Sequence, residues 1–224
     1  MVINVLANDS DPDAGATLRV TAASVAPGNG SVTVNADNTL SFAPGTAFDH
    51  LAAGATASVA VTYTVADQFG ATATQVVTIT ITGTNDAPVI TSGSAAAAGA
   101  VQEDAPVTTV SGQLTATDAD DGATRSWSIL GAAAGTYGTI AVDAAGKWTY
   151  SLDNASAAVQ ALGAGQTRTE SFTVRVTDDK GATADQVVTV TVSGANDGAI
   201  ITGSSTANLT ETDAALNASG QLLA

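Results

Sequence analysis

The sequence predicts an all-β chain built from tandem antiparallel β-sandwiches, and three observations carry that expectation. A block from Val65 to Asp86 (VADQFGATATQVVTITITGTND) returns 111 positions later, without a gap, as Val176 to Asp197 (VTDDKGATADQVVTVTVSGAND), with fourteen of 22 positions identical. Within the block the residues alternate: Val77, Ile79 and Ile81 on one side, Thr78, Thr80 and Thr82 on the other, and in the second copy Val188, Val190 and Val192 against Thr189, Thr191 and Ser193. A period of two in β-branched residues is a strand buried on one face. Glycine and aspartate punctuate the chain at the spacing of short strands and tight turns.

The elements follow in order. In the first copy, strands are expected near residues 2–7, 17–24, 30–35 and 38–43, with counterparts near 107–117, 124–130, 137–142 and 146–152. Val61, Tyr63 and Val65, matched by Phe172, Val174 and Val176, form the strand before the repeated one. Between the two lie Asp67-Gln68-Phe69-Gly70 and Asp178-Asp179-Lys180-Gly181, turns that end on the residue tolerant of positive φ, so each pair reads as a hairpin. Trp148 and Tyr150 match Leu40 and Phe42 and are expected to face inward, with Trp127 packed beside them. A helical turn capped by Asn154 is expected over Asn154–Leu162, with a counterpart at Phe48–Leu51, and Ala95–Ala98 reads as a variable loop.

A repeat of about 110 residues suits an independent domain better than a solenoid turn. The expected organisation is residues 1–86 as a sandwich without its first strand, 87–197 as a complete one, and 198–224 as the start of a third. Ser111-Gly112-Gln113-Leu114 reappears as Ser219-Gly220-Gln221-Leu222, which supports the third unit and suggests a piece of a longer polypeptide.

The formal charge is −15, from 21 acids against six bases. Eighteen of the acids are aspartate, which concentrates in turns and at hard-cation sites. Such a field repels nucleic-acid phosphates and anionic lipid, so neither is an expected partner. No apolar run reaches the roughly 18 residues of a membrane span, and insertion is not expected. Cysteine is absent, so no disulfide staples either unit.

The acids recur in register. Thr117-Asp118-Ala119-Asp120-Asp121-Gly122 has its counterpart in Asn8-Asp9-Ser10-Asp11-Pro12-Asp13. Carboxylates two apart on extended chain point the same way, about 7 Å apart, so both can reach one ion. Without a cation each pair repels by about 1 kcal/mol in water and about 4 kcal/mol at an effective dielectric near 20. Donors that are all oxygen select a hard ion, Ca2+ ahead of Mg2+. Asp67 and Asp178 open the hairpin turns, Asp86 and Asp197 follow Asn85 and Asn196 in the linkers, and Glu103 matches Glu211. Taken singly, each acid is more commonly a turn cap than a ligand.

Glu103-Asp104-Ala105-Pro106-Val107, Thr117-Asp118-Ala119-Asp120, Val176-Thr177-Asp178 and Gly194-Ala195-Asn196-Asp197 together resemble the ordered calcium motifs of cadherin repeats. Gly146-Lys147-Trp148-Thr149-Tyr150-Ser151-Leu152-Asp153-Asn154 with Gly83-Thr84-Asn85-Asp86-Ala87-Pro88 resembles the bacterial VCBS repeat. Val5-Leu6-Ala7-Asn8-Asp9-Ser10-Asp11 resembles the cadherin-like repeats found beside it in large secreted RTX-type adhesins. The resemblance spans essentially the whole chain and implies Ig-like or cadherin-like sandwiches with Ca2+ between neighbours. By position, the first junction would use Asn85 (through its carbonyl), Asp86, Asp118, Asp120 and Asp178. The next would use Glu103, Asn196 and Asp197, with Asp153 beside them and its remaining ligands beyond Ala224. Asp9, Asp11 and Asp67 are the first copy's equivalents. Two departures weaken the match: Asp197 is followed by Gly198-Ala199 instead of Ala-Pro, and the mid-domain Asp-x-Glu of cadherins is here Asp153-Asn154-Ala155.

These features imply a calcium-stiffened structural spacer of a bacterial surface or secreted adhesin. It would hold a distal binding domain away from the cell, with the adjacent repeats as its partners and any cell-surface or glycan partner met through other domains. The alternative is a glycan-binding sandwich, which the 4% aromatic content disfavours. Catalysis is not expected: His50, beside Asp49, is the sole histidine and has no counterpart in the second copy.

Overall fold

Alternating β-branched sequence and glycine-bearing turns produce the expected strands in the computed structural model, which describes residues 1–203 and 222–223. In chain order these are β1 (Val2–Ile3), β2 (Arg19–Val25), β3 (Ser31–Val34), β4 (Leu40–Ala43), β5 (Thr56–Ala66) and β6 (Thr72–Thr82). The second copy follows with β7 (Val89–Ile90), β8 (Ala98–Gln102), β9 (Thr109–Gln113), β10 (Ala116–Thr117), β11 (Arg125–Leu130), β12 (Gly138–Val142) and β13 (Lys147–Leu152). A single helical turn, α1 (Ala157–Gln160), precedes β14 (Thr167–Asp178) and β15 (Thr183–Ser193); β16 (Thr202–Gly203) pairs with β17 (Leu222–Leu223).

Each copy packs two sheets face to face, as an Ig-like sandwich does. In the first, the order β1-β4-β3 faces β2-β5-β6; in the second, β9-β13-β12 faces β11-β14-β15-β8. The repeated hairpins run in continuous register, from Thr56 opposite Thr82 to Ala66 opposite Thr72, and from Thr167 opposite Ser193 to Thr177 opposite Thr183. Gly70 and Gly181 close the two turns at φ 95°, where a Cβ would be strained. Each copy has its own core: Leu40, Phe42, Val59, Val61 and Tyr63 in the first, and Leu114, Trp148, Tyr150, Val174, Val188 and Val190 in the second. Trp127 packs against the second core from its rim.

Four local expectations need correction. The Ala95–Ala98 stretch is not a plain loop: a 3-10 turn over Ser94–Ala97 leads straight into β8, which joins β15 in parallel and is, among the described residues, the exception to antiparallel pairing. No β-branched alternation announces this strand, because Gly99 must be small; a Cβ there would lie 2.8 Å from a Val110 methyl and 3.0 Å from the Trp148 ring. The helical turn is capped by Ser156, whose Oγ accepts from Val159 N at 3.3 Å, while Asn154 bonds Asp104 instead. Its first-copy counterpart near Phe48–Leu51 is a succession of turns, Leu51 N donating to Phe48 O at 3.0 Å. The opening strand stops at Ile3 and gives way to a 3-10 turn over Val5–Asn8. Most of the expected third unit, Glu211 included, lies outside the described residues.

Candidate functional site at the junction of the two copies

The end of β14 and the loop after β10 place Asp178, Asp118 and Asp120 beside the linker that leaves β6. Asp178 sits where the hairpin turns, and its Oδ1 accepts from Lys180 N at 2.8 Å and Ala182 N at 2.9 Å, so the turn itself orients the carboxylate. Its other oxygen, Oδ2, accepts from the Asn85 side-chain amide at 2.9 Å, a bond between the two copies. Asp86 N donates to Asp120 Oδ2 at 3.0 Å, and Asp120 N donates to Asp118 Oδ1 at 3.0 Å. A third cross-copy bond runs from Asp121 N to His50 O at 2.8 Å. Asn85, Asp86, Asp118, Asp120 and Asp178 are therefore joined in one hydrogen-bonded chain.

Two oxygens in that chain have no donor. Asp118 Oδ2 and Asp120 Oδ1 are both buried without a hydrogen-bond partner, and Asp120 as a whole is only 7% exposed. Burying an anionic oxygen unpaired costs several kcal/mol, so such a pair marks a place where a positive partner belongs. Lys180 is the nearby cation, but its ammonium is held by Asp179 at 2.9 Å, which is the first cause of its raised pKa, with Asp178 and Asp120 adding to it. A cleft of about 250 Å³, lined by Ala52, Asn85, Asp120, Asp121, Asp179 and Lys180, opens here. The donor set is oxygen throughout, which suits a hard divalent cation, and the two orphaned oxygens fit one. The carboxylates are nonetheless not drawn in around a single point: among the described residues, no three His, Cys, Asp or Glu side chains form a ready metal cluster. Asn85 turns its N–H2, not its carbonyl, toward Asp178, so in this arrangement a hydrogen bond holds the carboxylate.

Asp178 is held below the ordinary carboxylate range, first by the Asn85 amide and then by the backbone N–H groups of its own turn, with burial pushing the other way. A depressed pKa contributes stability that is present above the ordinary value of 3.8 and lost as pH falls through the folded-state value. The Asn85 side-chain amide resonance should accordingly hold its position at neutral pH and shift in one acid transition below pH 3.8. Asp178→Asn should abolish that transition; an unaltered transition would assign it elsewhere.

The other expected site residues stand apart from this cluster. Glu103 is 1% exposed, and its oxygens accept from Gln160 Nε2 and from Ala195 N, both at 3.0 Å, so it fastens β8 to the outgoing linker. Asn196 donates to the neighbouring Asp197 O, and both residues are exposed. Asp9, Asp11 and Asp67 line an open cleft of about 430 Å³ in the first copy, together with Tyr63. There Asp67 Oδ1 accepts from Phe69 N and Ala71 N at 2.8 Å, repeating the arrangement at Asp178. Asp11 accepts from Asp13 N, and Tyr63 Oη donates to Asp9 at 3.4 Å. Asp153 is exposed and uses its backbone N–H on Tyr137 O.

Sequence reading missed one buried polar group. Glu170, on β14, accepts from Tyr150 Oη at 2.5 Å, from Tyr137 N at 2.9 Å and from Thr136 N. Burial, followed by the Glu170 hydrogen bond and charge, pushes the Tyr150 phenol well above its ordinary pKa. The signal was present: at the matching positions the first copy has Phe42 and Val59, so one apolar pair stands where the other copy has a polar one.

The chain belongs to the bacterial cadherin-like domain family, whose profile matches residues 1–83 and again 85–194. It is made of tandem cadherin-like repeats. No curated protein matches it. Among solved structures it is similar to mouse Cadherin-23 EC22-24 (18% identity, 82% of this chain and 56% of that one, TM-score 0.47). It is also similar to human CDH23 EC21-23 (16% identity, 80% and 58%, TM-score 0.45) and to Protocadherin Gamma B2 extracellular cadherin domains 1-5 (17% identity, 82% and 34%, TM-score 0.45). The chain thus spans between a third and about three fifths of those chains. Among the described residues, no helix is long and apolar enough to cross a membrane.

Proposed function

We propose that the chain is a calcium-stiffened spacer, with folding units at residues 1–86 and 87–197 and a third beginning at 198. Its setting is a secreted or surface-anchored bacterial adhesin of the VCBS and RTX type, in which it spaces a distal binding domain from the cell and carries out no catalysis. The observation that carries this reading is the pair of buried, donorless oxygens on Asp118 and Asp120, beside a linker already bonded to Asp120 and Asp178. A Ca2+ ion there would offset their mutual repulsion and tie the linker to the second copy, with Asn85, Asp86, Asp118, Asp120 and Asp178 as its residues. Glu103, Asn196 and Asp197 would serve the next junction, and Asp9, Asp11 and Asp67 one on the other side.

Few carboxylates per site imply affinity in the millimolar to sub-millimolar range of extracellular modules. Calcium should raise the melting temperature and lengthen the particle in small-angle scattering, and a chelator should reverse both. Asp118→Ala with Asp120→Ala should remove most of the calorimetric calcium signal while leaving both sandwiches folded. Scattering profiles identical with calcium and with chelator would defeat the stiffening claim.

A further inference from the structure

The second copy supplies the junction with a cation of its own. Its hairpin turn reads Asp178-Asp179-Lys180-Gly181, where the first copy has Asp67-Gln68-Phe69-Gly70. Both turns are tied down alike: Gln68 Oε1 accepts from Thr17 N at 2.8 Å, and Asp179 Oδ1 accepts from Thr124 N at 3.3 Å. A neutral pair therefore suffices to build the turn, and the charges of Asp179 and Lys180 are not needed to form it.

Those charges stand at the rim of the acidic cluster. Lys180 N donates to Asp178 Oδ1 at 2.8 Å, and Lys180 lines the same cleft as Asp120. Its ammonium rests on Asp179 Oδ2 at 2.9 Å, with both side chains exposed. An exposed pair of that kind is weak, because water competes for both charges. The buried oxygens Asp118 Oδ2 and Asp120 Oδ1 are costly without a positive partner. Asp120 is also near enough to add to the pull of Asp179 on the ammonium. Lysine carries a point charge on a flexible four-carbon stem, so it can exchange one carboxylate for another without moving the backbone.

We propose that Lys180 is the internal counter-cation of the junction: without a divalent ion its ammonium leaves Asp179 for the orphaned oxygens of Asp118 and Asp120, and it returns to Asp179 when the ion binds. The return half of this exchange rests on the calcium reading above; the first half does not. Neutralised in this way, Asp120 stays in place to accept from Asp86 N, so the linker keeps its hold on the second copy at low calcium. The same lysine weakens apparent calcium affinity, since its contact with Asp120 must first be given up.

The chain has two lysines, Lys147 and Lys180, so 13C labelling at lysine Cε gives two side-chain signals by nuclear magnetic resonance. In chelator, Asp120→Asn should shift the Lys180 signal and Asp179→Gln should leave it nearly in place; in calcium, Asp179→Gln should be the substitution that shifts it. A Lys180 signal that answers in chelator to Asp179→Gln and not to Asp120→Asn would overturn the proposal. Calorimetry then compares Asp179→Gln with Asp179→Gln/Lys180→Phe, whose turn carries the residues that the first copy already uses. Removing the ammonium should tighten calcium binding about five- to tenfold, from the repulsion between a single and a double positive charge roughly 7 Å apart in a water-like dielectric. Equal affinities would also overturn the exchange. No heat from either chain would sink the calcium reading and the return half with it, while the chelator spectra decide the first half on their own.

Discussion

Glu170→Ala is expected to lower the stability of the second sandwich by about 3 kcal/mol or more, since it strands Tyr150 Oη and the N–H groups of Thr136 and Tyr137 without their acceptor. Tyr150→Phe should cost less, about 1–3 kcal/mol, because one carboxylate oxygen loses a donor while the other keeps two. Combining Tyr150→Phe with Glu170→Val installs the pair that the first copy already buries as Phe42 and Val59, and the double variant should recover the part of the loss due to the phenol while the two N–H groups stay without their acceptor. A coupling of about 2 kcal/mol in that cycle is the expected sign of a bonded pair. Urea unfolding followed by tryptophan emission reads the second sandwich alone, because both tryptophans, Trp127 and Trp148, lie in it. Additive single effects would mean that Glu170 anchors the 135–137 segment independently of the phenol.

Trp148→Ala is the second large effect. Trp148 is fully buried at the centre of the second core, and its indole N–H donates to Ala96 O at 2.7 Å. Truncation removes that bond and leaves a cavity that the rigid strands on either side cannot close, for a loss of about 3–5 kcal/mol. The carbonyl of Ala96 belongs to the turn that feeds β8, so this strand should loosen together with the core. Hydrogen exchange should show Ala98–Gln102 amides losing protection more than those of β12, with Trp127 emission still reporting unfolding. Equal losses on both strands would mean that the indole bond does not help to hold β8.

What the sequence made legible follows from which forces act locally. The hairpins β5–β6 and β14–β15 were readable because alternating Val and Thr encode one buried face, and Asp-x-x-Gly encodes the turn. The core aromatics were readable for the same reason. Strand β8 was not, since its Gly99 is dictated by close contact with Val110 and with the ring of Trp148, 49 positions away in sequence, and not by strand propensity. The Ser156 cap was missed because Asn154 and Ser156 are both good caps, and the competition is settled by Asp104, far off in the chain, which takes Asn154. For the candidate site, repetition singled out Asp86, Asp118, Asp120 and Asp178, and the resemblance to cadherin repeats grouped them with Asn85; hydrogen bonds link these residues. Spacing could not tell that Asn85 would offer its N–H2, or that His50, set apart as a lone histidine, would contribute its backbone oxygen. Glu103 shows the limit in the other direction, because both of its oxygens are engaged by protein donors.

The bond from Asp121 N to His50 O needs no carboxylate and no ion. One tie across the joint between the sandwiches is therefore made by main-chain atoms alone. Neutralising the acids or withdrawing an ion would leave that tie in place. Such a joint would pivot about a fixed point instead of swinging free.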